Sequence, residues 1–226
     1  MSSTSVSVVV PRRRTGFNPS SLEPIAKFLE TTGFTFEILT PEGEAYGPAL
    51  RKGVSDAKGT VIVIVDDSLP YPVSAIGDAV AMVESGATDV VFASTRADFT
   101  GPLLPRWLLV PIVPDPAIHL FAFSSTAGKI VVGESRLSDG GCELEIAYLI
   151  NKYGFRIERL VVQPSNGHTR SFGKLGGLVA TISVRVANRR NEYRAARRCP
   201  VCFSPEVWTC AQIPHNVVRA CRRCKC

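Results

Sequence analysis

Along the first 160 or so residues, short runs of apolar residues alternate with segments in which apolar positions recur every three or four residues. Val6 to Val10 alternates and then runs apolar, which predicts a strand that Pro11 and Arg12 to Arg14 end. Ser20 or Ser21 is placed to cap a helix that reaches Thr32, with Leu22, Ile25, Ala26 and Leu29 on one face. Phe34 to Leu39 predicts a second strand and Gly47 to Ala57 a second helix. Thr60 to Val65 is apolar at both alternating positions, as in a parallel strand buried on both faces. Val73 to Ser85 carries Ile76, Val80 and Val83 at helical spacing, and Asp89 to Ala93 is a fourth strand. Strand and helix alternate, so the expected fold class is α/β, a mainly parallel sheet with flanking helices.

Past Arg96 the pattern loosens. Leu103 to Pro114 is proline-rich around Trp107 and reads as a surface excursion. Ile118 to Ser124 and Lys129 to Val132 are predicted short strands. Cys142 to Tyr153 is a helix that Gly154 ends. Phe155 to Val162 is a strand, and Pro164 to Gly173 a polar loop. Leu175 to Arg198 reads as a long helix with Leu175, Leu178, Val179, Ile182 and Val186 along one stripe. This divides the chain into an α/β domain over 1–174, a basic linking helix over 175–198 and a small tail over 199–226. No internal repeat is evident.

The 226 residues are enough for one substantial domain and a small appendage. The net charge of +6 draws on Arg-rich sequence after Lys174. Such an end suits an anionic partner, lipid phosphate, nucleotide or nucleic acid, and equally a solvated helix face. No apolar run approaches the ~18 residues that would span a bilayer. The N-terminal MSSTSVSVVVPRRR lacks the charged lead and apolar core of a secretion signal, so a cytoplasmic location is expected.

Six of the seven cysteines follow residue 198. In a reducing compartment that concentration argues for metal rather than disulfides. Cys199 and Cys202 form one Cys-x-x-Cys pair, and Cys221 and Cys224 a second, with 18 residues between the pairs. The spacing predicts a structural zinc ribbon with four thiolate ligands. Cys210, His215 and Cys226 are spare donors, and Cys142 lies apart at a helix start. The expected role is protein contact or self-association. Arg219, Arg222, Arg223 and Lys225 would allow nucleic-acid contact, but few aromatics accompany them, which argues against it.

The third strand ends in Asp66 and Asp67, then Ser68, Leu69, Pro70, Tyr71 and Pro72. Carboxylates at the C-terminal end of such a strand stand where open α/β sheets bind ligands. They also serve simply to cap a turn. The stretch resembles the Asp-x-Asp strand end of family 2 glycosyltransferases, particularly the polyprenyl-phosphate type. Further segments resemble that family in the same order: Val6 to Pro11, Tyr46 to Gly53, Asp89 to Arg96, Asp115-Pro116, Gly141 to Glu145 and Arg170 to Leu175.

The resemblance implies a GT-A fold and transfer of a sugar from a nucleotide-sugar donor, with a polyprenyl phosphate as acceptor at a membrane surface. It implies Mg2+ or Mn2+, with Asp66, Asp67 and Ser68 at the donor and metal site. By the same resemblance Asp66 and Arg170 would be catalytic, and Arg170, Ser171, Lys174 and Glu145 would bind the acceptor. Glu143 and Glu145 could instead anchor the Arg170 loop, or favour the helix dipole. The chain departs from the family in three places. Ser68 and Pro70 replace its second acid and a frequent glutamine. Arg12 to Arg14 stand where it has Thr-Tyr-Asn-Glu. The strand–helix unit with its Asp-Asp-Gly-Ser loop is missing, leaving only Glu42 and Glu44 as carboxylates there. A non-catalytic nucleotide-sugar-binding or scaffold protein on that fold is therefore the alternative. A nucleic-acid-binding zinc-ribbon protein is a third.

Overall fold

The computed structural model describes residues 4–13, 19–94, 120–138, 141–163, 182–184 and 186, and the strands over 207–213 and 216–221. The main sheet is built from β1 (Ser5–Val9), β3 (Thr35–Leu39), β5 (Val61–Val65), β6 (Val90–Ser94), β7 (Leu120–Ser124) and β8 (Ile157–Val161). Its order is β3-β1-β5-β7-β6-β8. β1 runs parallel to β3 and to β5, and β6 parallel to β8, while β7 lies antiparallel between β5 and β6. Two two-residue strands, β2 (Arg12–Arg13) and β4 (Glu42–Gly43), pair in parallel as a separate ribbon.

The period of two in β5 divides the core. Val61, Val63 and Val65 pack with Ile25 and Leu29 of α1 (Leu22–Thr32) and with Ile76 and Val80 of α3 (Ser74–Glu84). Ile62 and Ile64 face the other way. They join Leu50 and Val54 of α2 (Tyr46–Asp56), Ala127 and Val131 of α4 (Ser125–Glu134), and Ile146 and Leu149 of α5 (Cys142–Tyr153). All five β5 residues are buried. Burying a Val or Ile side chain contributes roughly 1.5–3 kcal/mol, so this strand is a main source of cohesion between the layers.

Two expectations need correction. Lys129 to Val132 is not a strand but part of α4. The Ser124 hydroxyl accepts the Ala127 N–H at 3.3 Å, a helix cap, and Ala127, Gly128, Val131 and Val132 are buried at helical spacing. Ser21 flanks α1, but its side chain makes no capping bond, and a short 3-10 turn over Pro19–Ser21 leads into the helix instead. The helix over Cys142 to Tyr153 agrees with its expected bounds. It ends where Gly154 takes φ 72°, a left-handed conformation that costs a side-chain-bearing residue energy. Of the expected helix over 175–198, residues 182–184 and 186 are described and helical. Two further strands, β9 (Val207–Ile213) and β10 (Asn216–Cys221), form an antiparallel hairpin.

Candidate functional site

The parallel strands β1, β3 and β5 all end at one edge of the sheet. From β1 the chain crosses to β3 on one side, and then to β5 on the other. The β1/β5 pair is thus a topological switch point, and the crevice beyond the C-terminal ends of such strands is where open α/β sheets take ligands. Asp66 follows the last residue of β5 at this crevice. Continuing the Val9–Ile64 register brings Pro11 level with it.

Asp66 is 7% exposed. Its Oδ1 accepts the Ser68 N–H at 2.8 Å, and its carbonyl accepts the Leu69 N–H at 3.2 Å, closing a tight turn. Leu69 is held at φ 41°, the left-handed region, which costs a leucine about 1–2 kcal/mol. Strain of this kind gathers where packing over-determines the backbone, often beside a site. Capping and ligand placement therefore act together at Asp66. Asp67 is half-buried and Ser68 exposed.

The even positions of β5 face α2 and α5, and both helices begin at the C-terminal edge. Tyr46 opens α2, while Cys142 and Glu143 open α5. Tyr46 and Tyr71 are both buried. Burial pushes the Tyr46 phenol well above its usual 10.0, and the charges of Glu143, Cys142 and Asp66 push the same way. Burial also raises Tyr71, helped by the Asp66 charge and opposed by a backbone hydrogen bond from Asp66. Both phenols therefore stay protonated near neutral pH and can act as hydrogen-bond donors. Glu143 is half-buried, and Cys142 is a buried thiol that forms no disulfide.

A strap over 135–138 closes one side of this cluster. The fully buried Glu145 accepts the backbone N–H groups of Arg136 and Leu137 on Oε2, at 2.8 and 2.9 Å. The Ser138 carbonyl accepts the Gly47 N–H at 2.7 Å. The Arg51 guanidinium donates to the carbonyls of Ser135 and Leu137 at 3.3 and 3.2 Å. A Cβ at Gly47 would overlap the Leu137 carbonyl oxygen, so only glycine permits this approach. Glu145 thus ties α5 to the strap, and the strap to the first turn of α2.

The structure therefore brings Asp66 and Glu143 close to Tyr46, with Asp67 and Ser68 following in the turn after Asp66. Arg170, Ser171, Lys174 and Asp115 lie outside the described residues, as do Cys199, Cys202 and Cys224. Among the described residues, no group of three or more His, Cys, Asp or Glu side chains is arranged to hold a metal ion. Asp66 supplies one carboxylate at the crevice, within the one or two that Mg2+ takes from protein when phosphate and water complete its shell. The residues present fit a cation that arrives with a diphosphate rather than one caged by protein alone. Tyr46 and Tyr71 were not among the expected site residues. Their signal was position: one opens a helix beside Gly47, the other sits in the turn after Asp66.

No known family profile matches the sequence, and no curated protein is found similar to it. Among the described residues, no helix is long and apolar enough to cross a membrane. Solved structures do match. Glucosyl-3-phosphoglycerate synthase from Mycobacterium tuberculosis, in complex with Mn2+, UDP and phosphoglyceric acid, aligns with a TM-score of 0.57 at 15% identity. That alignment covers 96% of this chain and 86% of that one. The same enzyme with Mn2+, UDP-glucose and phosphoglyceric acid gives 0.54 at 16% identity, over 84% of this chain and 79% of that one. At these identities the likeness is one of fold, and with the sheet described above it makes this chain a GT-A-like α/β protein.

Proposed function

We propose that the chain transfers a sugar from a nucleoside-diphosphate donor to a phosphorylated acceptor. The observation that carries this reading is Asp66, placed at the switch-point crevice of a GT-A-like sheet beside two protonated tyrosines and Glu143. The synthase of similar fold is described with Mn2+, a uridine nucleotide and phosphoglyceric acid. A divalent cation held by Asp66, with Asp67 and Ser68 beside it, would offset the negative charge on the departing diphosphate. Arg170, Ser171 and Lys174 are the proposed acceptor-side residues, because guanidinium and ammonium groups suit an ionised phosphate. Such an acceptor needs placing rather than deprotonating.

The test is a panel of nucleotide sugars with Mg2+ or Mn2+, with polyprenyl phosphate in one arm and phosphoglyceric acid in another. Product mass identifies the acceptor, and Asp66→Asn should abolish transfer in a folded protein. Absence of both transfer and donor hydrolysis across the panel would refute the reading.

A second reading, a non-catalytic nucleotide-sugar binder, is favoured by the exposed Ser68 at the second acidic position and by the turn bond on Asp66 Oδ1. It predicts metal-dependent nucleotide binding by calorimetry without turnover.

For the tail we propose one structural Zn2+ on Cys199, Cys202, Cys221 and Cys224. What supports it, besides the spacing, is the hairpin register: Val207 pairs with Cys221, so the chain enters and leaves the hairpin at one end. Metal analysis after non-chelating, reducing purification should find about one zinc per chain. A zinc-free folded tail would overturn this.

A further inference from the structure

Tyr71 joins the strained turn after β5 to the core. It lies between Pro70 and Pro72, just before α3 begins at Ser74. It is 1% exposed and belongs to the cluster on the α1 and α3 face of the sheet, with Val65, Ile76 and Val80. Phenylalanine would fill that space as well. Burying a hydroxyl is unfavourable unless it is hydrogen-bonded. Here the phenol oxygen accepts the backbone N–H of Asp66.

Asp66 lies just past the last paired residues of β5, Ile64 with Val9 and Val65 with Leu120. Its carbonyl accepts the Leu69 N–H and its Oδ1 the Ser68 N–H, both within the turn. Those two bonds would survive if the turn swung as a unit. The bond to Tyr71 differs, because it ties the end of the strand to a ring buried in the core. Pro70 and Pro72 restrict the backbone on either side of that ring. Leu69 at φ 41° is held only where its surroundings over-determine the backbone.

We infer that Tyr71 is a positioning residue for the cation that arrives with the donor diphosphate: its hydroxyl holds the Asp66 backbone and so fixes where the carboxylate points. Tyr71 packs with Val65, and the Asp66 side chain alternates to the other face of the strand. Tyr71 therefore acts through Asp66 and not on the ligand. This rests on the proposed transferase function. It adds to the acidic strand end a residue that aims it. Loss of a group that orients a metal ligand typically weakens metal binding about 10–100-fold. Orientation through a backbone bond should fall at the lower end of that range.

The test is calorimetric titration of Mn2+ into the full-length protein mixed with UDP, with amide hydrogen exchange as a second readout. Tyr71→Phe keeps the ring and loses the acceptor. It should weaken Mn2+ binding about tenfold and speed exchange of the Asp66 amide relative to that of Val63, inside the strand. Val83→Ala, in the same cluster near the other end of α3, is the control for lost core packing. It should lower the melting temperature at least as much as Tyr71→Phe and leave Mn2+ affinity unchanged. Equal weakening by both variants, or an unchanged Asp66 amide in Tyr71→Phe, would overturn the inference. If Tyr71→Phe binds Mn2+ as the unaltered protein does while Asp66→Asn does not, the inference fails and the transferase reading stands. Absence of any Mn2+ and UDP binding by the unaltered protein overturns both.

Discussion

Removing Glu145 is the sharpest test of how the site is held together. Its carboxylate is fully buried, and Oε2 accepts two backbone N–H groups from the strap. Hydrogen bonds to a charged group are each worth about 1.5–3 kcal/mol net. Two of them set a range of about 3–6 kcal/mol, but the released N–H groups are partly compensated by water, since Arg136 is exposed and Leu137 half-buried. Glu145→Ala should therefore cost about 3 kcal/mol by urea denaturation. Glu145→Gln keeps one carbonyl oxygen to accept from the strap while an NH2 group replaces the other oxygen, so a smaller loss of about 1 kcal/mol is expected.

Hydrogen exchange gives a local readout. The Arg136 and Leu137 amides should exchange faster in the alanine variant, while amides in β5 should not change ahead of global unfolding. The resemblance implied an acceptor-binding or a loop-anchoring role for Glu145. Its bonds to the strap support a positioning role, and the two roles differ in one measurement. A positioning residue tolerates glutamine with most turnover retained, whereas a carboxylate acting on the acceptor does not. A loss below about 0.5 kcal/mol for Glu145→Ala, the level of an ordinary surface change, would refute the structural argument.

Gly47→Ala places a Cβ against the Leu137 carbonyl, a backbone atom with little room to yield, so about 2–4 kcal/mol of stability should be lost and ligand affinity should fall with it; unchanged melting would refute the contact. Burial raises the Glu37 pKa, but hydrogen bonds from Ser7, Lys58 and Gly59 and the Lys58 charge outweigh it, leaving a folded value below 4.5. That contribution is complete above about pH 4.5 and is lost as pH falls through the folded value, so Glu37→Gln should flatten the acid limb of a stability profile. Asp89, likewise lowered despite burial by its hydrogen bonds to Arg156, joins the starts of β6 and β8. Asp89→Asn should cost about 1 kcal/mol by denaturation and leave nucleotide binding unchanged, because that end of the sheet is opposite the crevice.

Much of the sheet was legible because period-two and period-three-to-four patterns are enforced by burial. Val61 to Val65 had to be a two-sided strand, and Cys142 to Tyr153 a helix stopped by glycine. Lys129 to Val132 misled because a β-branched run looks alike in either state. A cap at Ser124, outside the run itself, decided the helix. The antiparallel direction of β7 could not be read from its residues, since a strand buried on both faces carries the same apolar pattern whichever way it runs. At the site, Asp66 was legible from its strand-end position. The strap was not. Gly47, Arg51, Glu145 and Ser138 are brought together by bonds to backbone atoms, which leave no side-chain pattern in the sequence.

Among the described residues β3 is the one strand beyond β1, and this has a physical consequence at the crevice. β3 is the sheet edge, with Thr35 exposed and Phe36 to Leu39 only half-buried, so β1 is one strand away from solvent. Among the described residues, a switch point so near an edge has carboxylates at the end of β5 and little backbone to enclose a ligand on the β1 side. The ribbon of β2 and β4 fills part of that gap. Two paired residues per strand cannot bury a nucleobase, but they can hold a charged side chain at a fixed angle. Donor selection then depends on hydrogen-bond acceptors rather than on shape. A site of that kind should discriminate weakly between bases and strongly between diphosphate and monophosphate donors. UDP against UMP, and UDP against GDP, measured on one preparation, separate the two contributions. A strong base preference with little phosphate dependence would contradict the reasoning, because it requires an enclosing wall that β1, β3 and the ribbon do not form.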